Sequence, residues 1–301
     1  MASVKGSWVM KHFNVGIVLV AASLLAAPAS AQDNDSANGH DRARGELSPG
    51  TGAPSQATLM QAIEGGSPER LSRLLEYGER VECHACVPLL QRQLLENGDA
   101  RVREMAAWWL RRRPFGFAGV FREIRTVLAN DADPVRRARA AEAIGEFMDP
   151  HGVAYLAAAL EDDDASVRAA AVRGLGRINA PAAVNGIVQA FTDSDATVRE
   201  AAVAQVLYVN TFREHDALMG LLADESVEVR RRAALALGTF RVAEATPALQ
   251  AMLRGDAEPM VRQAAAWSLG RIGNASAALN AQLEVETSSL VRDAIRIAIR
   301  M

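Results

Sequence analysis

The sequence is poor in aromatic residues, cysteine and lysine. Aromatic residues make up 5% of the 301 residues although half of the chain is hydrophobic, so small aliphatic side chains dominate and favour closely packed helices over a β-sandwich. The two lysines, Lys5 and Lys11, lie in the first dozen residues, and every later cation is arginine. With 33 basic and 36 acidic residues the formal charge is −3, which argues against a general nucleic-acid binder because such proteins usually carry a basic excess.

The first 31 residues have the order of segments that directs export. A start with two lysines precedes an apolar run of 13 residues, Val15–Ala27, which is shorter than the roughly 20 residues that a spanning helix needs. Ala29 and Ala31 then give the A-x-A pattern of a signal-peptidase site. We predict a signal peptide over residues 1–31, cleaved between Ala31 and Gln32. The alternative is an uncleaved N-terminal anchor.

Cleavage predicts an exported protein, periplasmic or secreted, without stable membrane insertion. The mature chain would keep 31 basic against 36 acidic residues and a charge of −5. Residues 32–57 are rich in Asn, Asp, Ser, Gly and Pro with almost no large apolar side chain. Such a segment cannot bury enough surface to offset the entropy of ordering, and we predict a disordered tether.

The remainder of the chain repeats one unit of about 31 residues. Each copy contains an arginine, and the residue directly before it is Val in six of the seven copies. We call the position of this residue the Val position. The arginines are spaced 34, 31, 31, 31, 32 and 30 residues apart, a regularity typical of stacked repeats. The seven repeated arginines are Arg103, Arg137, Arg168, Arg199, Arg230, Arg262 and Arg292.

The residue types within each copy predict a helix with a marked start and end. Asp or Ser stands three residues before the Val position in six copies, where its side-chain oxygen can cap the first N–H groups. Apolar residues at the Val position and four and eight residues later form a stripe at helical spacing. Gly145, Gly176, Gly238 and Gly270 follow, and we expect them to end the helices with left-handed caps. A second apolar segment precedes each helix, so each copy predicts a helical hairpin.

The D-x-x-V-R-x-x-A-x-x-x-L-G pattern from Asp99 onward resembles the short HEAT repeats, especially the subtype also seen in phycobilisome lyases. The resemblance covers roughly two-thirds of the chain and implies an all-α fold, an α-solenoid of about seven helical hairpins at residues 87–301. It implies little about function, because this repeat serves many unrelated roles. Residues 57–81 resemble an ankyrin-type helix pair, with Gly66 and Gly78 after its two helices, and we expect a helical N-terminal cap at residues 58–86.

The repeated arginines have two interpretations, a binding stripe or a ladder of ion pairs between repeats. Their recurrence beside a repeated acid favours the ladder, since the planar guanidinium can bridge a carboxylate through two hydrogen bonds. Residues that differ between repeats are therefore better candidates for binding a partner.

The variable residues fall on one face of each repeated helix. At about 100° per residue, the positions two and six after the Val position lie opposite the core stripe. This face carries Trp108 and Trp267, large aromatics of the kind that anchor interfaces, whereas Trp109 falls on the core side. The alternative is that Trp108 and Trp267 pack between repeats. The candidate partner surface comprises Trp108, Trp267, Glu104, Glu142, Arg173, Glu200, Arg231, Arg111 and Arg112.

Arg111–Arg113 stand beside Phe115, Phe117 and Phe121 in the sequence and suggest a second patch, basic and aromatic. A run of three arginines is too little for nucleic-acid binding in an exported acidic protein. The expected partner is therefore another exported or envelope protein.

Both cysteines of the chain lie in one motif, Cys83-His84-Ala85-Cys86. A C-x-x-C pair at a helix start can support disulfide exchange, but outside the cytoplasm such a pair is more often a structural disulfide. A metal site would have Cys83, Cys86 and His84 locally, one ligand short of a closed zinc site. Covalent haem is disfavoured because Val87 stands where that motif needs His.

The sequence holds no recognised catalytic motif. No His is followed by Glu, as in the dyads of the HEAT-type hydroxylases, and no G-x-S-x-G, phosphate-binding glycine loop or H-E-x-x-H occurs. We expect no cofactor and no metal. The prediction is a non-catalytic scaffold or adaptor in the periplasm that binds a partner on its curved helical surface. The alternative is a redox- or metal-linked accessory protein acting through Cys83 and Cys86.

Overall fold

A computed structural model describes residues 54–65, 67–77, 81–113, 116–273 and 275–301. The predicted signal peptide and most of the predicted tether lie outside the described residues, as do Gly66, Gly78 and Phe115. The described residues form sixteen α-helices joined by turns and short 3₁₀ segments, without a strand. None of these helices is both long enough and apolar enough for a bilayer crossing.

The helices alternate along the chain as first and second members of hairpins. The cap consists of α1 (Gln56–Gly65) and α2 (Pro68–Tyr77). The first helices of repeats 1–7 are α3 (Cys86–Glu96), α5 (Phe117–Asn130), α7 (Gly152–Ala158), α9 (Ala183–Gln189), α11 (His215–Gly220), α13 (Thr246–Gly255) and α15 (Ser276–Val285). The second helices are α4 (Ala100–Arg111), α6 (Pro134–Phe147), α8 (Ala165–Ile178), α10 (Ala196–Gln205), α12 (Val227–Phe240), α14 (Pro259–Ile272) and α16 (Ser289–Ala298).

The second helices pack against one another in an unbroken row from α4 to α16. The first helices contact each other less extensively, so the stack curves toward the second-helix row, which forms its inner face. The cap extends the stack, because α1 packs on α3 and α2 packs on α4. This confirms the predicted all-α solenoid, and helix α1 begins two residues before the predicted start of the cap.

The predicted helix caps are confirmed for the acidic residues. The carboxylates of Asp99, Asp133, Asp164 and Asp195 each accept a hydrogen bond from the backbone N–H two residues later. Ser226 caps α12 through the N–H of Val229. At α16 the prediction was wrong, because the Ser288 side chain makes no capping hydrogen bond.

The glycines expected to end the second helices lie inside them instead, and that prediction was wrong. A Cβ on Gly145 would lie 2.5 Å from the Cα of Gly174 in the next repeat, and one on Gly270 would lie 2.7 Å from the Cα of Ala298. These glycines therefore let neighbouring second helices approach at backbone distance. The left-handed caps fall three residues later, at Met148, Asn179, Arg241 and Gly273.

The core between the two rows consists mainly of Ala, Val, Leu and Ile. Trp109 is 1% exposed, which confirms its assignment to the core side of α4. At Gly238 the neighbouring second helix presents Ser268, whose buried hydroxyl donates a hydrogen bond of 2.7 Å to the carbonyl of Ala234. A polar side chain is thus accommodated in the close contact because it is hydrogen-bonded.

The repeated arginines form the predicted ladder between repeats. In five copies the guanidinium donates through Nε and Nη2 to one carboxylate in the following repeat, at 2.7–3.2 Å. Its Nη1 donates to a carbonyl six residues before the arginine, in its own repeat. The five rungs of this arginine ladder are Arg137–Asp162, Arg168–Asp193, Arg199–Asp224, Arg230–Asp256 and Arg262–Glu286.

The ladder does not extend to the first junction, which lies between repeats 1 and 2. Arg103 donates to Glu142 on α6, at 2.9 Å and 3.2 Å, while Asp131 is bound by Arg136 of its own repeat. This junction is also the one with the longest arginine spacing, 34 residues. The added length lies in α5, which has 14 residues, whereas α7 and the 3₁₀ turn that follows it have 7 and 3.

We expect the substitution Gly145→Ala to destabilise the solenoid although alanine is the better helix former. The added methyl group would meet backbone of the next repeat, and overpacking of this kind costs about 1–3 kcal/mol. Gly119 on α5 is the matched control, since nothing lies within 4 Å of a Cβ there, and Gly119→Ala should gain up to about 1 kcal/mol. Urea unfolding followed by circular dichroism measures both, and equal effects would contradict a role in helix approach.

We expect Glu286→Gln to remove stability that depends on pH. Its hydrogen bonds to Arg262 lower the pKa of Glu286 from 4.5 to about 2. The carboxylate therefore stabilises the folded state fully above pH 4.5, and this contribution is lost as the pH falls toward 2. At pH 7 the variant should lose about 2–4 kcal/mol of unfolding free energy, since a buried charge loses its partner.

The deficit of Glu286→Gln should shrink as the pH is lowered from 4.5 to 2 in urea titrations. Glu284→Gln, two residues away and exposed, serves as the control and should leave the stability nearly unchanged. A deficit independent of pH would show that the Glu286 side chain acts by packing alone.

Candidate functional site

The inner face of repeats 1–4 holds a groove of about 740 Å³ lined by α4, α6 and α8 and by the end of α10. Its floor contains the small residues Ala143, Gly174 and Gly176. Six of its seven charged residues stand two, three, six or ten residues after the Val position, and the seventh is the repeated Arg103. The charged lining residues are Arg103, Glu104, Arg139, Glu142, Glu146, Arg173 and Arg177.

Arg177 links three successive repeats across this groove. Its Nη2 lies 3.0 Å from Glu146 Oε2 in repeat 2 and 3.2 Å from Glu104 Oε1 in repeat 1. The contact with Glu104 passes over an entire repeat, which places opposite sides of the groove within reach of one side chain.

A second cluster lies around Glu142. Arg103 binds Glu142 Oε2, whereas Arg173 Nη2 is 3.8 Å from Glu142 Oε1, too far for a hydrogen bond. Arg139 donates through Nη1 to the carbonyl of Leu95 at 2.9 Å. Among the described residues, Arg139 and Arg173 therefore donate no hydrogen bond to a carboxylate.

Burial perturbs the charges at the groove wall. Burial raises the pKa of the Glu146 carboxyl, while Arg177 acts in the opposite direction. Burial also lowers the pKa of Arg111, whose Nη1 donates to the carbonyl of Glu146 at 2.9 Å. The contacts of Glu146 with Arg177 and Arg111 connect neighbouring repeats at this wall.

Several residues of the sequence-predicted surface meet in or beside this groove. Glu104, Glu142 and Arg173 line it. Trp108, half-buried on the same row, lies under the guanidinium of Arg112, with Cζ 4.6 Å from the ring centroid.

The other predicted residues are engaged elsewhere on the stack. Glu200 accepts a hydrogen bond from Ser226 Oγ at 3.1 Å, between repeats 4 and 5. Arg231 binds Glu228 on its own helix through two hydrogen bonds. Trp267 is half-buried on α14, with Arg271 5.6 Å from its ring.

The groove contains residues that the sequence reasoning missed, namely Arg139, Glu146, Arg177 and Tyr208. Glu146, Arg177 and Tyr208 stand ten residues after the Val position. Extending the row at positions two and six by one further helical turn would have found them. Tyr208 follows the end of α10 at Gln205 and is 68% exposed.

The basic and aromatic residues near the N-terminal end have different partners. Arg111 reaches Glu146 on the inner face, and Arg113 lies over Trp109 at 4.0 Å. Phe117 and Phe121 instead form an aromatic cluster with Phe147 and Tyr155. Arg125 donates to the Tyr155 hydroxyl at 2.6 Å and lines a hollow beside this cluster.

Cys83 and Cys86 form a disulfide at the start of α3, between the cap and repeat 1. Both cysteines are completely buried, so the sulfur atoms are not accessible to an attacking thiolate in the folded state. Within the part of the chain that is described, no group of three or more His, Cys, Asp and Glu residues could hold a metal ion.

We expect the disulfide to resist mild reduction in the folded protein. Incubation of native protein with dithiothreitol and iodoacetamide should leave both cysteines unlabelled by mass spectrometry, because thiol–disulfide exchange requires access to a sulfur atom. The same treatment in guanidinium chloride should label both. Rapid labelling under native conditions would instead favour the redox interpretation of the motif.

The HEAT-repeat family profile matches the chain at residues 122–207 and 216–300. No curated protein sequence matches the chain.

Solved structures that are similar to the chain share little sequence with it. The Escherichia coli protein YibA is 15% identical, with a TM-score of 0.55 over 91% of this chain and 99% of YibA. The CpcE–CpcF complex of phycocyanin lyase from Nostoc sp. is 20% identical, with a TM-score of 0.39 over 71% of this chain and 93% of the other. Human deoxyhypusine hydroxylase is 20% identical, with a TM-score of 0.35 over 87% and 97%. The repeated helical hairpins and the matching family profile show that the chain belongs to the HEAT-repeat family.

Proposed function

We propose that the protein is a non-catalytic scaffold or adaptor that binds another exported or envelope protein in its inner groove. The observation that carries this proposal is the groove itself, which is built from side chains of four repeats. These side chains differ from repeat to repeat, whereas the core and the arginine ladder are nearly uniform. Variation on a uniform frame is where a repeat protein can place specificity for a partner.

The groove is suited to recognition by prepositioned groups. Arg177 is held by two carboxylates, and Glu142 by Arg103. Side chains that are already ordered lose less conformational entropy when a partner binds. Half-buried Trp108 and exposed Tyr208 add aromatic surface on the same row, and aromatic residues are frequent binding hot spots.

Export to the periplasm forms part of the proposal. It is supported by the leader-like residues 1–31. The buried disulfide between Cys83 and Cys86 agrees with an oxidising compartment. Its burial favours a structural role over the alternative of a redox or metal-linked accessory protein.

A photo-crosslinking residue at position 208, in the full-length protein expressed in its host, tests the proposal. We expect a crosslink to an exported protein, because Tyr208 is exposed at the end of the groove. The crosslinked form should be recovered in the periplasmic fraction, with an N-terminus at Gln32. Adding Arg173→Glu should reduce the crosslink at least about tenfold, since it removes a charged hydrogen-bond donor that lines the groove.

Two controls define the outcome. Arg122→Glu changes an exposed arginine on α5 and should leave the crosslink intact. The same photo-crosslinker at Tyr77, which is 58% exposed on α2, should not capture the partner. Equal capture from position 77, or no effect of Arg173→Glu, would exclude the groove as the binding surface.

A further inference from the structure

We propose that the inner groove recognises an acidic, extended segment of its partner, in which carboxylates occur at alternate residues. This inference rests on the proposed function and specifies the chemistry of the partner. The partner's carboxylates would bind Arg173 and Arg139, and one of them would take the place of Glu104 at Arg177.

The sign of the partner's charge follows from which charged side chains of the groove lack a hydrogen-bonded partner of opposite charge. Each of its three glutamates is bound by an arginine: Glu104 and Glu146 by Arg177, and Glu142 by Arg103. Arg139 and Arg173, by contrast, have no hydrogen-bonded carboxylate among the described residues. The unsatisfied donors in the groove are therefore cationic, although the chain as a whole is acidic. A carboxylate is the group that satisfies an arginine best.

Glu104 occupies the position that a partner's carboxylate would take. It reaches Arg177 from two repeats away, and its side chain is 58% exposed. An exposed ion pair of this kind contributes little stability, so Glu104 can return to solvent at low cost. Arg177 would keep its second carboxylate, Glu146, throughout, and exchanging Glu104 for a partner's carboxylate would preserve its charge balance.

The spacing of the arginines indicates the form of the segment. Arg173 and Arg177 are four residues apart on α8. They therefore lie on one face of the helix, with their Cβ atoms about 5–6 Å apart. In an extended strand, alternate residues lie on the same side, about 6.5–7 Å apart. A Glu-x-Glu sequence in extended conformation therefore matches this pair. The groove, with its volume of about 740 Å³, has room for the main chain of such a segment.

Fluorescence anisotropy with labelled peptides tests the inference on the oxidised, purified protein. The probes are (Glu-Ser)₄, its basic counterpart (Lys-Ser)₄ and the neutral (Gln-Ser)₄. We expect (Glu-Ser)₄ to bind, with an affinity that falls as salt is added, and the other two not to bind.

Two substitutions should have effects of opposite sign on the affinity for (Glu-Ser)₄. Arg173→Gln should weaken binding of (Glu-Ser)₄ at least about tenfold, because one charged partner is lost. Glu104→Gln should strengthen it about threefold to tenfold, since the competing carboxylate is removed and less free energy is spent on displacement. The controls Arg122→Gln and Glu76→Gln alter exposed residues on α5 and α2 and should leave the affinity unchanged.

The outcomes are distinct. Preferential binding of (Lys-Ser)₄, weaker binding of (Glu-Ser)₄ to Glu104→Gln, or no effect of Arg173→Gln would overturn the acidic-segment inference. If the crosslink at position 208 depends on Arg173 while (Glu-Ser)₄ does not bind, the scaffold function holds and this inference fails. If (Glu-Ser)₄ binds with the expected pattern but position 208 captures no partner, the groove chemistry holds and the proposed function fails. Thermal melts of each variant show whether a loss of binding reflects a loss of folding.

Discussion

The close approach of successive second helices governs this structure. Where Gly145 meets Gly174, and Gly270 meets Ala298, there is no space for an additional Cβ. Backbone contact shortens the inner row relative to the outer one, and the stack curves toward it. That curvature brings Arg177 of repeat 3 to Glu104 of repeat 1. The groove is thus a consequence of small residues in helix interiors, whereas its charged lining is independent of them.

Two kinds of connection hold neighbouring repeats together along the chain. From repeat 2 onward, each junction has one arginine rung that also binds a carbonyl of its own repeat. At the first junction Arg103 turns to Glu142 on the inner face, and just upstream the cap is linked to α3 by the turn that contains the disulfide. The N-terminal end, where the repeat register lengthens, therefore has a different set of connections from the uniform part of the array.

Most of the fold can be predicted from the sequence, because the same helical pattern recurs in seven copies. The phase of the helix placed Trp109 in the core, and the acids before the Val position marked four helix starts. The role of Gly145 could not be assigned from the sequence. A glycine near this position can either end the helix with a left-handed cap or let a neighbouring helix pack at backbone distance. The groove was identified only in part, since Arg173 and Glu142 lie on the two turns considered, whereas Glu146 and Arg177 lie one turn beyond. Which carboxylate each arginine binds depends on the curvature, which one helix in isolation does not encode.

The arginine ladder has a mechanical consequence. Its rungs lie at the beginnings of the second helices, one at each junction from repeat 2 onward. The groove network around Glu146 and Arg177 lies about nine residues farther along these helices, a distance of about 14 Å. Beside this network, Gly145 and Gly174 bring the backbones of two neighbouring second helices into contact. Repeats 2 and 3 are therefore held against each other at two separated places, and we expect them to move as one body.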